Sequence, residues 1–204
     1  MRERADIKAQ ARATFTAQYG VVLGAYIVYA VLVGAVSGIT FGLGALLLMP
    51  PLMVGYAWFS LIIFRGYRGD IGGMLSTGFN NYARNLGGIL WMELFIFLWS
   101  LLLFIPGIIK AIAYSMTPYI LADTRNVSAT DALKLSMRMT NGHKGKIFVL
   151  GLSFIGWLLL SALTGGILYI FYVGPYMNTA FAGMYEEIKN NALRTGVVRP
   201  EELA

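Results

Sequence analysis

The sequence contains no cysteine, so disulfides, thiolate metal sites and a cysteine nucleophile are excluded. Charge is scarce as well: Asp, Glu, Lys and Arg make up 13% of the 204 residues, against 57% hydrophobic. A soluble core of this size needs more polar surface than that around it, so the surplus apolar surface must face lipid. His143 is the single histidine, which rules out the usual zinc cluster. No P-loop, GxSxG, HExxH or dinucleotide fingerprint occurs. These absences point away from a soluble-type enzyme, a bound metal and any cofactor.

What is present is six apolar runs, at about 20 to 37, 44 to 64, 87 to 104, 107 to 122, 147 to 163 and 166 to 185. A span needs roughly 20 mostly apolar residues, so the fourth run is short. The runs come in pairs. Gly38 to Gly44, Ile105-Pro106-Gly107 and Thr164-Gly165-Gly166 separate the members of each pair, and such turn residues force antiparallel helical hairpins. The expected fold is an all-α polytopic membrane bundle of three hairpins in a single domain, 1 to 204.

The hairpins read as repeats, at about 1 to 67, 69 to 125 and 127 to 190, with a polar tail from 191 to 204. Gly20 to Pro51 and Gly87 to Pro118 each span 31 residues and Gly142 to Pro175 spans 33. Pro51, Pro106, Pro118 and Pro175 are the expected helix breaks.

Charge placement gives the orientation. The hairpin tips carry no charge, and 15 of the 16 Lys and Arg lie in the termini and the connections between pairs. The positive-inside rule places both termini in the cytoplasm of a cell-membrane protein, and the net charge of +6 then reports orientation rather than nucleic-acid binding. The basic start also resembles a secretory signal with Ala35-Val36-Ser37 as cleavage site. The stretch before the first run carries Glu3 and Asp6 and is patterned as a helix, so a retained first span is expected.

Amphipathic lead-ins precede the hairpins. In the first, Ile7, Ala11, Phe15 and Tyr19 form one stripe and Arg4, Lys8 and Arg12 another. In the third, Ser128 and Asp131 form an N-cap, Lys134 and Arg138 flank Leu133 and Met137, and Gly142 is a stop. The middle lead-in, with Arg84, is weaker and is interrupted by Gly78. Such helices either lie on the membrane, their cations on anionic cytoplasmic headgroups, or pack on the bundle end as a lid. The expected headgroup contacts are Arg4, Lys8, Arg12, Arg84, Lys134, Arg138, His143, Lys144 and Lys146. Membrane lipids are the expected partners; a homo-oligomer or a second membrane protein is left open. Glu186 and Glu187 are expected to be solvated, and Asp123-Thr124-Arg125 to cap the fourth segment.

Glu93 and Lys110 are the only ionisable side chains inside apolar runs, which makes them the candidate functional residues. Within one hairpin they are offset by about 13 Å along the axis, so they do not pair there. Lys110 can snorkel to the outer interface.

From Ile105-Pro106-Gly107-Ile108-Ile109-Lys110 through Tyr114 to Asp123, then Ser128 to Ser136, Gly142-His143-Lys144, Phe148 to Trp157 and Pro175-Tyr176-Met177-Asn178, the chain resembles an uncharacterised bacterial integral-membrane family, domain of unknown function 975. Pro50-Pro51 stands where such families tend to have Gly-Pro. The resemblance implies a bacterial multispan membrane protein and brings no activity or catalytic residues. The chain is distantly similar to the membrane portion of some glycerophosphodiester phosphodiesterases, without their catalytic barrel. Three functions follow as alternatives: a non-catalytic membrane-organising or accessory component, a small-solute transporter or channel, and a lipid-binding or lipid-modifying protein.

Overall fold

The computed structural model describes residues 2–39 and 43–203, and every regular element among them is helical. The elements are α1 (Arg4–Ala17), α2 (Tyr19–Ile39), α3 (Leu43–Phe64), α4 (Ile71–Asn80), α5 (Tyr82–Leu102), α6 (Phe104–Tyr114), α7 (Thr117–Asp123), α8 (Ala129–Thr140), α9 (Lys144–Leu152), α10 (Ile155–Leu163) and α11 (Gly174–Arg194). A π-helical turn, Tyr169–Val173, precedes α11, and a 3-10 turn, Pro200–Leu203, ends the chain.

Five stretches are long and apolar enough to cross a membrane: Tyr19–Gly38, Gly44–Phe64, Tyr82–Leu102, Ile105–Asp123 and Lys144–Leu163. The sixth expected run is helical but is not among them: a π-helical turn divides it, and α11 begins only at Gly174 and carries on into Glu186, Glu187 and Lys189. The fourth is interrupted at Ser115–Met116, which divides α6 from α7.

The turns differ in chemistry. Gly165 and Gly166 hold φ of 61° and 86°, left-handed backbone that glycine adopts without strain. In the second hairpin the chain turns two residues before the expected Ile105-Pro106-Gly107, at Leu103, which is extended (φ −159°, ψ 139°). Pro106 therefore breaks nothing. It sits in the first turn of α6, where a missing N–H has no helical partner to lose. Gly107 packs on Ser100, whose Cα would lie 2.8 Å from an added Cβ. Within the first tip, residues 40–42, Gly42 included, lie outside the described residues.

Pro51 and Pro175 act through the carbonyl four residues back, which loses its helical donor. Pro51 lies inside the continuous α3, and the Leu47 carbonyl accepts from the Tyr82 hydroxyl at 3.1 Å. Pro175 follows the π turn, and the Phe171 carbonyl accepts from the Tyr19 hydroxyl at 3.0 Å. Beside the break before Pro118, the Ala113 carbonyl accepts from Ser136 at 2.7 Å and Thr140 at 3.3 Å.

Those donors sit on or next to the amphipathic lead-ins, each of which runs antiparallel along an inner helix. α1 follows α11: Arg2 meets Glu187, Ile7 lies beside Gly183, and the Tyr176 hydroxyl reaches the Lys8 carbonyl at 3.3 Å. Ile7, Ala11 and Phe15 are fully buried there, while Tyr19 remains 39% exposed. α4 follows α3 so closely that a Cβ on Gly78 would stand 2.4 Å from the Pro51 carbonyl oxygen, and one on Gly55 2.2 Å from that of Met74. Gly78 interrupts the amphipathic pattern because backbone passes backbone at that point. α8 follows α7 and α6, burying Leu133, Leu135, Ser136 and Met139. Its N-cap forms as the sequence predicts, with the Asp131 amide donating to Ser128 Oγ at 3.1 Å, and Gly142 holds a φ of 79° just beyond its end.

The core between these helices is aromatic. Tyr26, Tyr29 and Tyr56 pack with ring centroids 5.4–6.3 Å apart, and Phe15 meets Tyr172 at 5.4 Å. A Cβ on Gly34 or Gly38 would find nothing within 4 Å among the described residues.

Candidate functional site

The densest polar chemistry lies where α3 and α7 end against the second half of α11. Asp123, the last residue of α7, accepts from Arg65 Nη2 at 2.6 Å, from Lys189 Nζ at 2.7 Å and from the Tyr185 hydroxyl at 3.1 Å. Arg65 Nε also donates to Glu186 at 2.7 Å, and Lys189 stands 3.5 Å from the same carboxylate. All four charged side chains are at most 26% exposed. Two cations against two anions leave the cluster neutral, so it ties the ends of α3 and α7 to α11 without presenting charge outward.

The expectation that Glu186 and Glu187 are solvated is corrected here. Glu186 belongs to the cluster, and Glu187 binds Arg2 Nε at 2.5 Å with its own side chain 13% exposed. Asp123 likewise does more than cap a helix. Arg65, Asp123 and Glu186 are far apart in sequence, and no local signal announces their meeting.

Beside the cluster a polar cavity of about 550 Å³ opens between Trp58, Asn80, Asn81, Arg84 and the 121 to 125 turn. Arg84 donates to the carbonyls of Thr124 at 2.9 Å and Leu121 at 2.5 Å, satisfying the end of α7. Its Nε is buried without a partner. Arg84 thus ties α5 to α7, with its guanidinium turned inward rather than toward lipid.

The other cations expected at headgroups have varied surroundings. Arg4 and Arg12 are exposed on α1. Lys8 Nζ donates to Ser153 Oγ at 3.1 Å and lies 4.3 Å above the Phe154 ring. Burial, then the nearby Arg4 charge, pulls its pKa down. Lys134 pairs with Asp131 at 3.0 Å and Arg138 with Glu202 at 2.5 Å. The Asn191 amide and His143 Nε2 are 3.0 Å apart, and burial followed by the Lys146 charge lowers the His143 pKa. Lys144 opens α9 and Lys146 is exposed one step on.

Glu93 and Lys110 do not meet in an ion pair with each other or with any other described residue. Glu93 is exposed on α5. Lys110 turns along the bundle, 4.9 Å from the Trp99 ring centroid and 4.0 Å from Met137 Sδ. No group of three His, Cys, Asp or Glu able to hold a metal occurs among the described residues.

A family model for the protein of unknown function DUF975 matches residues 73–192, more than half of the chain. The chain belongs to the DUF975 family. The match takes in Arg84, Asp123, Glu186 and Lys189, so three of the four charged members of the ion cluster fall within it, whereas Arg65 and all of α1 precede it. No curated protein and no solved structure matches the chain.

Proposed function

We propose that this DUF975 protein is a multi-pass protein of the bacterial cell membrane, with both termini cytoplasmic, acting without catalysis as a membrane-organising or accessory component. On this reading it consists of three repeated hairpins closed into a ring. The lead-in of each hairpin packs on the inner helix of the hairpin before it, and α1 completes the circle on α11.

The observation that carries the reading is the capping of carbonyls at the helix breaks. Proline-interrupted helices serve transport where their unpaired carbonyls line a polar path. Here Tyr82 and Tyr19 occupy the carbonyls four residues before Pro51 and Pro175, and Ser136 with Thr140 occupies the Ala113 carbonyl beside the α6–α7 break. The breaks work as joints between helices.

Solute and ion flux in proteoliposomes tests this against the transporter alternative. Wild type and Glu93→Gln should both leak at the rate of empty vesicles. A flux above that rate which Glu93→Gln abolishes would replace this reading with transport.

A further inference from the structure

A second cavity, of about 510 Å³, lies between the start of α1, the start of α9 and the side of α11. Arg2, Arg4 and Lys146 stand around it, with Glu3 the one acid, and Ala5, Val149 and Met184 make its floor. Arg2 is held in place by Glu187 and by Gln10, each at 2.5 Å, and Arg4 is exposed. Two helices begin at this point, and their amide ends add positive potential to that of the side chains. Beyond the cations the surface turns apolar at once: Val149 is 41% exposed, and Phe148 and Leu152 continue the exposed face along α9.

Cations at one end and an exposed apolar track leading away from them match an amphiphile rather than a small soluble anion. We propose that this groove binds an anionic phospholipid, its phosphate between Arg4 and Lys146 and one acyl chain along Val149 and Leu152. The proposal rests on the membrane reading above and adds a defined lipid site to it. Phosphatidylglycerol would be preferred over phosphatidylcholine, because the choline cation would face Arg2, Arg4 and Lys146.

Binding to the purified full-length protein in detergent, followed by native mass spectrometry, tests the site with three probes: phosphatidylglycerol, phosphatidylcholine of the same chains, and glycerol phosphate. Phosphatidylglycerol should bind at least about tenfold more tightly than phosphatidylcholine. The double variant Arg4→Gln/Lys146→Gln should lose that preference at an unchanged unfolding temperature. Where the double variant does not fold, Arg4→Gln alone, at an exposed position, should reduce the preference at least threefold. Equal binding of the two lipids, or a preference that survives the substitutions, would overturn the proposal. So would glycerol phosphate binding as tightly as the lipid and unaffected by Val149→Ser, since the groove would then be a site for free phosphate. A positive flux result would leave this lipid preference standing, so the two readings fail separately.

Discussion

The Tyr19 hydroxyl donates to the Phe171 carbonyl at 3.0 Å although 152 residues separate them. The bond joins the start of the first apolar helix to the π turn that precedes Pro175, and it is one of the contacts between the first and last helices of the chain. Tyr82 makes the equivalent bond to Leu47, four residues before Pro51. Tyr19→Phe and Tyr82→Phe should each cost about 1 kcal/mol, the net worth of a hydrogen bond, without altering the fold. Unfolding midpoints of the two variants and of their combination check this.

Asp123 is the anion common to Arg65 and Lys189. Asp123→Asn leaves two cations to share the single Glu186 carboxylate in a poorly hydrated pocket and should destabilise by about 3 kcal/mol. Adding Lys189→Met should recover part of that loss, because it removes the surplus charge. Thermal unfolding of the single and double variants measures the coupling, and strict additivity would show that the cluster does not act as a unit.

Where α4 crosses α3, space is the limit. Gly78→Ala places a methyl 2.4 Å from a backbone oxygen that cannot move independently of its helix. A loss of about 2 kcal/mol or more is expected. Gly145→Ala, with nothing within 4 Å of its Cβ, should be neutral or slightly stabilising. Parallel denaturation of the two variants makes the comparison.

Acidification should loosen α1. Burial pushes the Glu187 carboxyl up, but the backbone and side-chain bonds from Arg2 outweigh it and hold the group below the ordinary value of about 4.3. A lowered folded pKa means that the pair stabilises fully above about pH 4.3 and weakens as pH falls through the lowered value. Protection factors of the α1 amides, which are corrected for the intrinsic pH dependence of exchange, should therefore fall below about pH 4 in wild type, and Glu187→Gln should show the lower protection already at neutral pH.

Helical hairpins, the Ser128 cap and the Gly142 stop were legible in the sequence because each depends on neighbours a few residues apart. The family was legible too, from local motifs such as Thr117-Pro118-Tyr119. The ion cluster was not, since Arg65, Asp123 and Lys189 meet only after three separate helices pack. Pro106 misled for a related reason: a proline reads as a stop, yet in the first turn of a helix it costs no hydrogen bond. The lead-ins showed their two stripes, but the sequence did not tell lipid from protein as the partner of the apolar one. Only Gly183, which leaves room for Ile7, decides that for α1.

A chain without cysteine allows the most direct test of the membrane arrangement, because every introduced thiol is unique. Arg12→Cys, Lys134→Cys and Glu201→Cys lie on the charged end, and Leu163→Cys lies at a hairpin tip where the side chain is 83% exposed. In sealed vesicles of known orientation, a membrane-impermeant maleimide should modify the first three only from the cytoplasmic side. Leu163→Cys should react only from the opposite side, or only after detergent is added. Labelling of Leu163→Cys from the same side as Arg12→Cys, or of the three charged-end positions from different sides, would contradict the account.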